Sequence, residues 1–155
     1  MSQVIWLVSL AGLMSTAVIF GTDAFFLTVG RPALRSAAEP TATEVMGYIH
    51  FFGDRRMPIW GSIAILSNFL LVLFSRSGHR AIYLLSLSVL LLFVLIYGRL
   101  SKPINRLQTE AAKTGGRLDN GRGLQASWDR SLMIRFPLLV VSMFAQFVAL
   151  VPIRA

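Results

Sequence analysis

Residues 81–98 read AIYLLSLSVLLLFVLIYG, a leucine-rich run with no charged side chain. At 1.5 Å per residue it is about 27 Å long, close to the hydrocarbon thickness of a bilayer. It shows no strand-like alternation. A backbone in lipid has to satisfy its own hydrogen bonds, so a run of this kind is a spanning helix and not a barrel strand.

Three more apolar runs flank it. The first extends over 4–29, about 39 Å if helical, which is enough to span with some tilt. The second covers 58–74, where Pro58 suits the first turn of a helix. The fourth covers 132–153 with Pro137 inside it, a place for a kink or local break. The expectation is an all-α integral membrane four-helix bundle, one membrane domain over 1–155. A signal peptide is a poor reading of the first run: no Lys or Arg precedes it, and it exceeds an h-region in length. Gly12, Thr16, Ala17 and Gly21 place small residues at helical spacing for close packing in lipid.

Composition agrees. The chain is 55% hydrophobic and 14% charged, against about 25% charged in soluble domains. There is no cysteine, so disulfides, thiolate metal sites and a cysteine nucleophile are excluded. The net charge is +8. With the basic residues flanking apolar runs, this points to anionic lipid headgroups as the partner and not to nucleic acid.

Three connections join the runs. The first, 30–57, is expected to hold a short interfacial helix from Thr43 to Phe52, with Thr43 as N-cap and Glu44 in its first turn. The second, Ser75 to Arg80, reads as a tight turn containing Gly78. The third, 99–131, is expected to hold another short helix around Ile104 to Lys113, then a flexible loop with Gly115, Gly116, Asn120, Gly121 and Gly123. Of the fifteen Lys and Arg residues, only Arg76, Arg80 and Arg154 fall on the side of the termini and second connection. The positive-inside rule therefore places the larger connections in the cytoplasm and both termini outside, as in a bacterial inner membrane.

All seven acidic residues belong to the cytoplasmic side or its edge. A polar site is expected there. Asp23 sits about 9 Å inside the end of the first run, where an ionisable group needs a partner. It reads either as a helix-end carboxylate paired with Arg135 or as a group handling a ligand or proton. His50 and Asp54 are four residues apart and share a helix face. They suit an interfacial hydrogen bond, an acid–base pair or two ligands of a metal; two ligands alone make no metal site, and none is assigned. Asn105 can cap the helix after Pro103 or hold a ligand carbonyl, with Arg106 beside it. Trp128 and Arg135 read as an aromatic-belt residue and a headgroup contact, or as ligand contacts. Asn68 and Gln146 are explained by interhelical hydrogen bonds. No nucleotide-binding, zincin or nucleophile-elbow motif is present, so no cofactor is assigned.

Several short features occur together. A glycine-containing first span is followed by Arg31-Pro32, and a short helix precedes a Pro-led second span. Pro103-Ile104-Asn105 follows the third span, and Trp128 then Arg135 lead into the fourth. In this arrangement the chain resembles the small four-helix membrane proteins that include the fungal anthrone oxygenases. It departs from their Asn-x-Pro-x-Asn pattern by lacking the first Asn. The resemblance implies oxidation by O₂ of an activated methylene in a flat aromatic or quinone-like substrate. His50, assisted by Asp54 or Asp23, would be the base, and Asn105, Arg106 and Arg135 would stabilise the enolate. Two other classes stay open: a non-catalytic subunit of a larger membrane complex, and a small oligomeric transporter.

Overall fold

A computed structural model describes residues 3–115 and 118–150, nearly all of them helical. Helix α1 (Gln3–Phe25) passes through a π-helical turn (Phe26–Gly30) into α2 (Arg31–Ser36). Helix α3 spans Glu39–Phe74 and α4 spans Ser77–Ile96. A second π turn (Tyr97–Ser101) leads into α5 (Lys102–Thr114), and α6 spans Gly121–Leu150. The result is an all-α four-helix bundle. Gln3–Ser36, Glu39–Phe74, Gly78–Thr114 and Gly121–Leu150 are each long and apolar enough to cross a membrane.

The helices run well beyond the apolar runs. The 36 residues of α3 measure about 54 Å, against roughly 30 Å of hydrocarbon. The short helix expected at Thr43–Phe52 is therefore not separate. It is the N-terminal half of α3, with Thr43 inside it and neither Gly53 nor Pro58 breaking it. Likewise α5 continues α4 through the second π turn, and α6 begins about ten residues before Leu132 and continues through Pro137.

Proline chemistry accounts for the two π turns. Pro32 and Pro103 cannot donate to the preceding turn. In both places a π turn comes immediately before, so each proline falls in the first turn of the next α segment. At the C-terminus of α5, Gly115 takes φ +66° and its N–H bonds Ala111 O, a left-handed cap. At the other side of the loop, Asn120 Oδ1 accepts the Gly123 N–H at 3.1 Å and caps α6. Gly121 and Gly123 thus open a helix. Gly116 and Arg117 of the expected loop, and 151–153 of the fourth run, lie outside the described residues.

The chain packs as two compact units. Unit 1 comprises the described residues of 1–21, 58–93 and 137–155, and unit 2 those of 22–57 and 94–136. Unit 1 holds two apolar clusters, one around Ile19, Ala64, Leu90 and Leu139, the other around Leu71, Tyr83 and Ala149. Its buried polar groups bond between helices. Gln146 Nε2 donates to Thr16 Oγ1 at 2.8 Å, Ser86 and Ser142 hydroxyls bond at 2.8 Å, and Tyr83 OH bonds Ser9 Oγ at 2.8 Å. Asn68 Nδ2 instead donates within its own helix, to Ala64 O at 2.8 Å. Gly12 supports this packing: a Cβ there would lie 3.0 Å from Ser67 Cβ, whereas Gly21 has open space. The outward face of unit 1 is apolar, with Phe144 66% and Phe147 58% exposed. An exposed apolar surface of this kind suits lipid contact.

Unit 2 has one apolar cluster, Phe26, Leu34, Ala42, Met46, Trp128 and Leu132. Gly47 brings the backbones of α3 and α5 together. A Cβ at that position would run into the carbonyl oxygen of Gln108 and lie 2.5 Å from Ala112 Cβ. Thr109 Oγ1 donates to Gly47 O at 3.2 Å across the same contact. This close approach sets the distance between His50 on α3 and Gln108 on α5. Arg122 closes the unit by donating to Leu34 O at 3.0 Å and to Ala37 O, the exposed end of α2.

Candidate functional site

Every candidate residue falls in unit 2, whose polar groups form three networks. The first is built on Arg135, with a side chain 4% exposed. Its Nε and Nη2 donate to the two carboxylate oxygens of Asp23 at 2.9 and 3.0 Å, a bidentate ion pair. Its Nη1 donates to the hydroxyls of Ser101 and Ser131, which also bond each other at 2.5 Å. The guanidinium carbon lies 5.1 Å from the Trp128 ring centroid. Of the two readings of Asp23, the pairing with Arg135 is the arrangement present.

The second network is centred on Asp54. Its Oδ1 accepts from Tyr97 OH and from Asn105 Nδ2, the latter at 2.8 Å. Asn105 Nδ2 also reaches Tyr97 OH at 3.2 Å. Asn105 therefore does not cap α5; it holds Asp54 from across the helix pair. Its own Oδ1 is buried and has no hydrogen-bond partner.

The third network runs from His50. His50 Nε2 lies 2.9 Å from Gln108 Oε1, Gln108 Nε2 donates to Gln125 Oε1 at 3.3 Å, and Gln125 Nε2 donates to Asp129 Oδ1 at 3.0 Å. Asp129 Oδ2 accepts from Arg31 Nε at 3.1 Å and from Arg35 Nη2 at 3.2 Å. The direction of this chain is determined at its acidic end. An ionised Asp129 only accepts, so Gln125 turns its amide nitrogen to it and its oxygen to Gln108. Gln108 must then present its oxygen to His50. The neutral imidazole is held as the Nε2–H tautomer, leaving Nδ1 with the lone pair. A carboxylate three side chains away thus sets which ring nitrogen carries the proton.

His50 bonds Gln108 and not Asp54, although both side chains line one open groove of about 940 Å³ between α3 and α5. Arg106 forms part of its wall; Asp23, Asn105, Trp128 and Arg135 do not line it. Trp128 is buried against His50 and Phe26, with ring centroids 5.4 and 5.2 Å away. Its Nε1–H has no partner. Among the described residues, no three His, Cys, Asp or Glu side chains converge as a metal site.

Sequence reasoning did not single out Tyr97, Ser101, Gln108, Gln125, Asp129 or Ser131 as site residues. A signal was present. Ser101, Asn105 and Gln108 recur at four- and three-residue spacing as one polar stripe, while Gln125/Asp129 and Ser131/Arg135 form two separate pairs at four-residue spacing. In comparisons with family models, curated proteins and solved structures, nothing matches this chain.

Proposed function

We propose that unit 2 is the catalytic centre of an integral membrane oxidoreductase acting on a flat aromatic or quinone-like molecule, as the resemblance to anthrone oxygenases implies. The observation that carries this reading is His50. It is a buried imidazole, held in one tautomer by a relay ending at Asp129, and it lines a groove large enough for a polycyclic ligand.

The chemistry balances with O₂ as oxidant. His50 Nδ1 takes a proton from an activated CH₂, and the resulting enolate is stabilised by the cationic groove wall, including Arg106. The carbanion carbon adds O₂, and the peroxide anion recovers the proton from His50. Loss of water from the hydroperoxide leaves a carbonyl, so CH₂ and O₂ become C=O and H₂O. In this reading Asp23 and Arg135 position the helices and do not touch substrate. The larger connections and the groove face the cytoplasm in this reading, which the excess of Lys and Arg on their side supports.

One observation favours a non-catalytic subunit instead: Asp23, Asp54 and Asp129 are each already held by donors within the chain. Oxygen uptake with a hydroxylated anthrone as probe separates the two. The purified protein accelerates uptake above autoxidation, and His50→Gln reduces that acceleration by about 10²-fold or more while the protein stays folded. No acceleration by the wild type, or equal rates in the variant, would sink the catalytic reading.

A further inference from the structure

The same groove carries more positive charge than an enolate requires. Arg55, Lys102, Arg106 and Lys113 line it, with Asp54 and Glu110 as the only acidic side chains in its lining. Asp54 is held by Tyr97 and Asn105. Among the described residues, none of the four cations forms a salt bridge; those present belong to Arg31, Arg35 and Arg135. Four cations against two carboxylates leave the lining with a surplus of two positive charges, on residues drawn from two helices.

Two of the cations have their places set by an aromatic ring. The Arg55 guanidinium carbon lies 3.7 Å and the Lys113 ammonium nitrogen 4.0 Å from the centroid of Phe51. The two charges are thus no more than about 7.7 Å apart. Like charges held this close repel, and Phe51 offsets only part of that repulsion. A bound phosphate would relieve that repulsion by accepting charge-assisted hydrogen bonds from the cations of the rim. Arg106 and Lys102, on the α5 side of the groove, add a fork-shaped donor and a point charge.

We propose that Arg55, Lys102, Arg106 and Lys113 form a phosphate-binding site at the rim of the His50 groove. The phosphate comes either from an anionic phospholipid headgroup or from a phosphorylated soluble molecule. The inference rests on the groove being a ligand site, and is independent of proton transfer at His50.

The test is native mass spectrometry of the full chain in a mild non-ionic detergent. Dioleoyl-phosphatidylglycerol, dioleoylglycerol (which lacks the phosphate) and inorganic phosphate are titrated separately. The wild type binds the phospholipid at least tenfold more tightly than dioleoylglycerol. The Lys102→Gln/Arg106→Gln variant loses that preference, and the single change Arg106→Gln, the smaller perturbation to folding, weakens it. Arg76→Gln/Arg80→Gln, at the other basic cluster, keeps it. Displacement of the lipid by millimolar inorganic phosphate, with the same dependence on Lys102 and Arg106, assigns the site to soluble phosphate; retention of the lipid assigns it to the headgroup. Equal binding of the two lipids without phosphate binding, or equal losses in both double variants, overturns the proposal. His50→Gln retains the preference, so failure of the catalytic reading leaves this result standing.

Discussion

Changing Asp23 to asparagine isolates the contribution of one buried charge. Asp23 and Arg135 side chains are 7% and 4% exposed, and two nitrogen–oxygen contacts of 2.9 and 3.0 Å join them. The amide in Asp23→Asn keeps the volume and one acceptor, but turns an N–H toward a guanidinium N–H. Arg135 would otherwise retain only the Ser101 and Ser131 hydroxyls as acceptors. Breaking a buried pair by removing one partner costs about 3–5 kcal/mol. Because the amide retains one bond, the expected loss is near the lower end, about 3 kcal/mol, with Asp23→Leu nearer 5. Removing both charges, as Asp23→Leu/Arg135→Met, leaves no unpaired charge and restores most of the stability. The assay is reversible unfolding in mixed micelles, arranged as a double-mutant cycle. A loss under about 1 kcal/mol for Asp23→Asn, or a double variant whose loss equals the sum of the singles, would refute the reasoning.

At the α3–α5 contact, Gly47→Val forces a side chain into the Gln108 carbonyl and destabilises by about 1–3 kcal/mol. Gly53→Ala, six residues on with open space around it, stabilises by about 0.5–1 kcal/mol; equal effects in unfolding titrations would contradict the close approach. Asp129→Asn releases Gln125 and Gln108 to turn over, so ¹⁵N spectra of His50 shift from the Nε2–H toward the Nδ1–H tautomer; an unchanged tautomer would break the relay argument. Since the chain has no cysteine, single replacements report sidedness directly. Arg76→Cys reacts with an impermeant maleimide in intact cells, and Lys113→Cys only after permeabilisation; the reverse pattern would invert the assigned orientation.

Much of the architecture was legible because hydropathy and charge act over long windows. The run 81–98 and its three companions identify the spanning helices with no knowledge of packing. The helix ends were harder. Arg31-Pro32 and Lys102-Pro103 read locally as breaks, and nothing in the local sequence signals that a π turn can carry a helix past each proline. Gly121 and Gly123 read as loop because the helix signal that overrides them, the Asn120 cap, is a single residue.

The site was legible where burial forces a partner. Asp23 inside an apolar run requires a cation, and Arg135 supplies it. His50 and Asp54 could be placed on one helix face from spacing alone, but not their separate partners. Those depend on Gly47, which lets α5 approach closely enough for Gln108 and Asn105 to reach across.

The most direct test of the catalytic account is mass analysis of small molecules retained when the protein is extracted from its membrane in mild detergent. The account predicts a stoichiometric aromatic or quinone-like compound on the wild-type chain, lost in His50→Gln and retained in the Arg76→Gln/Arg80→Gln control. A chain without such a compound that is recovered in a fixed ratio with other membrane subunits would contradict it.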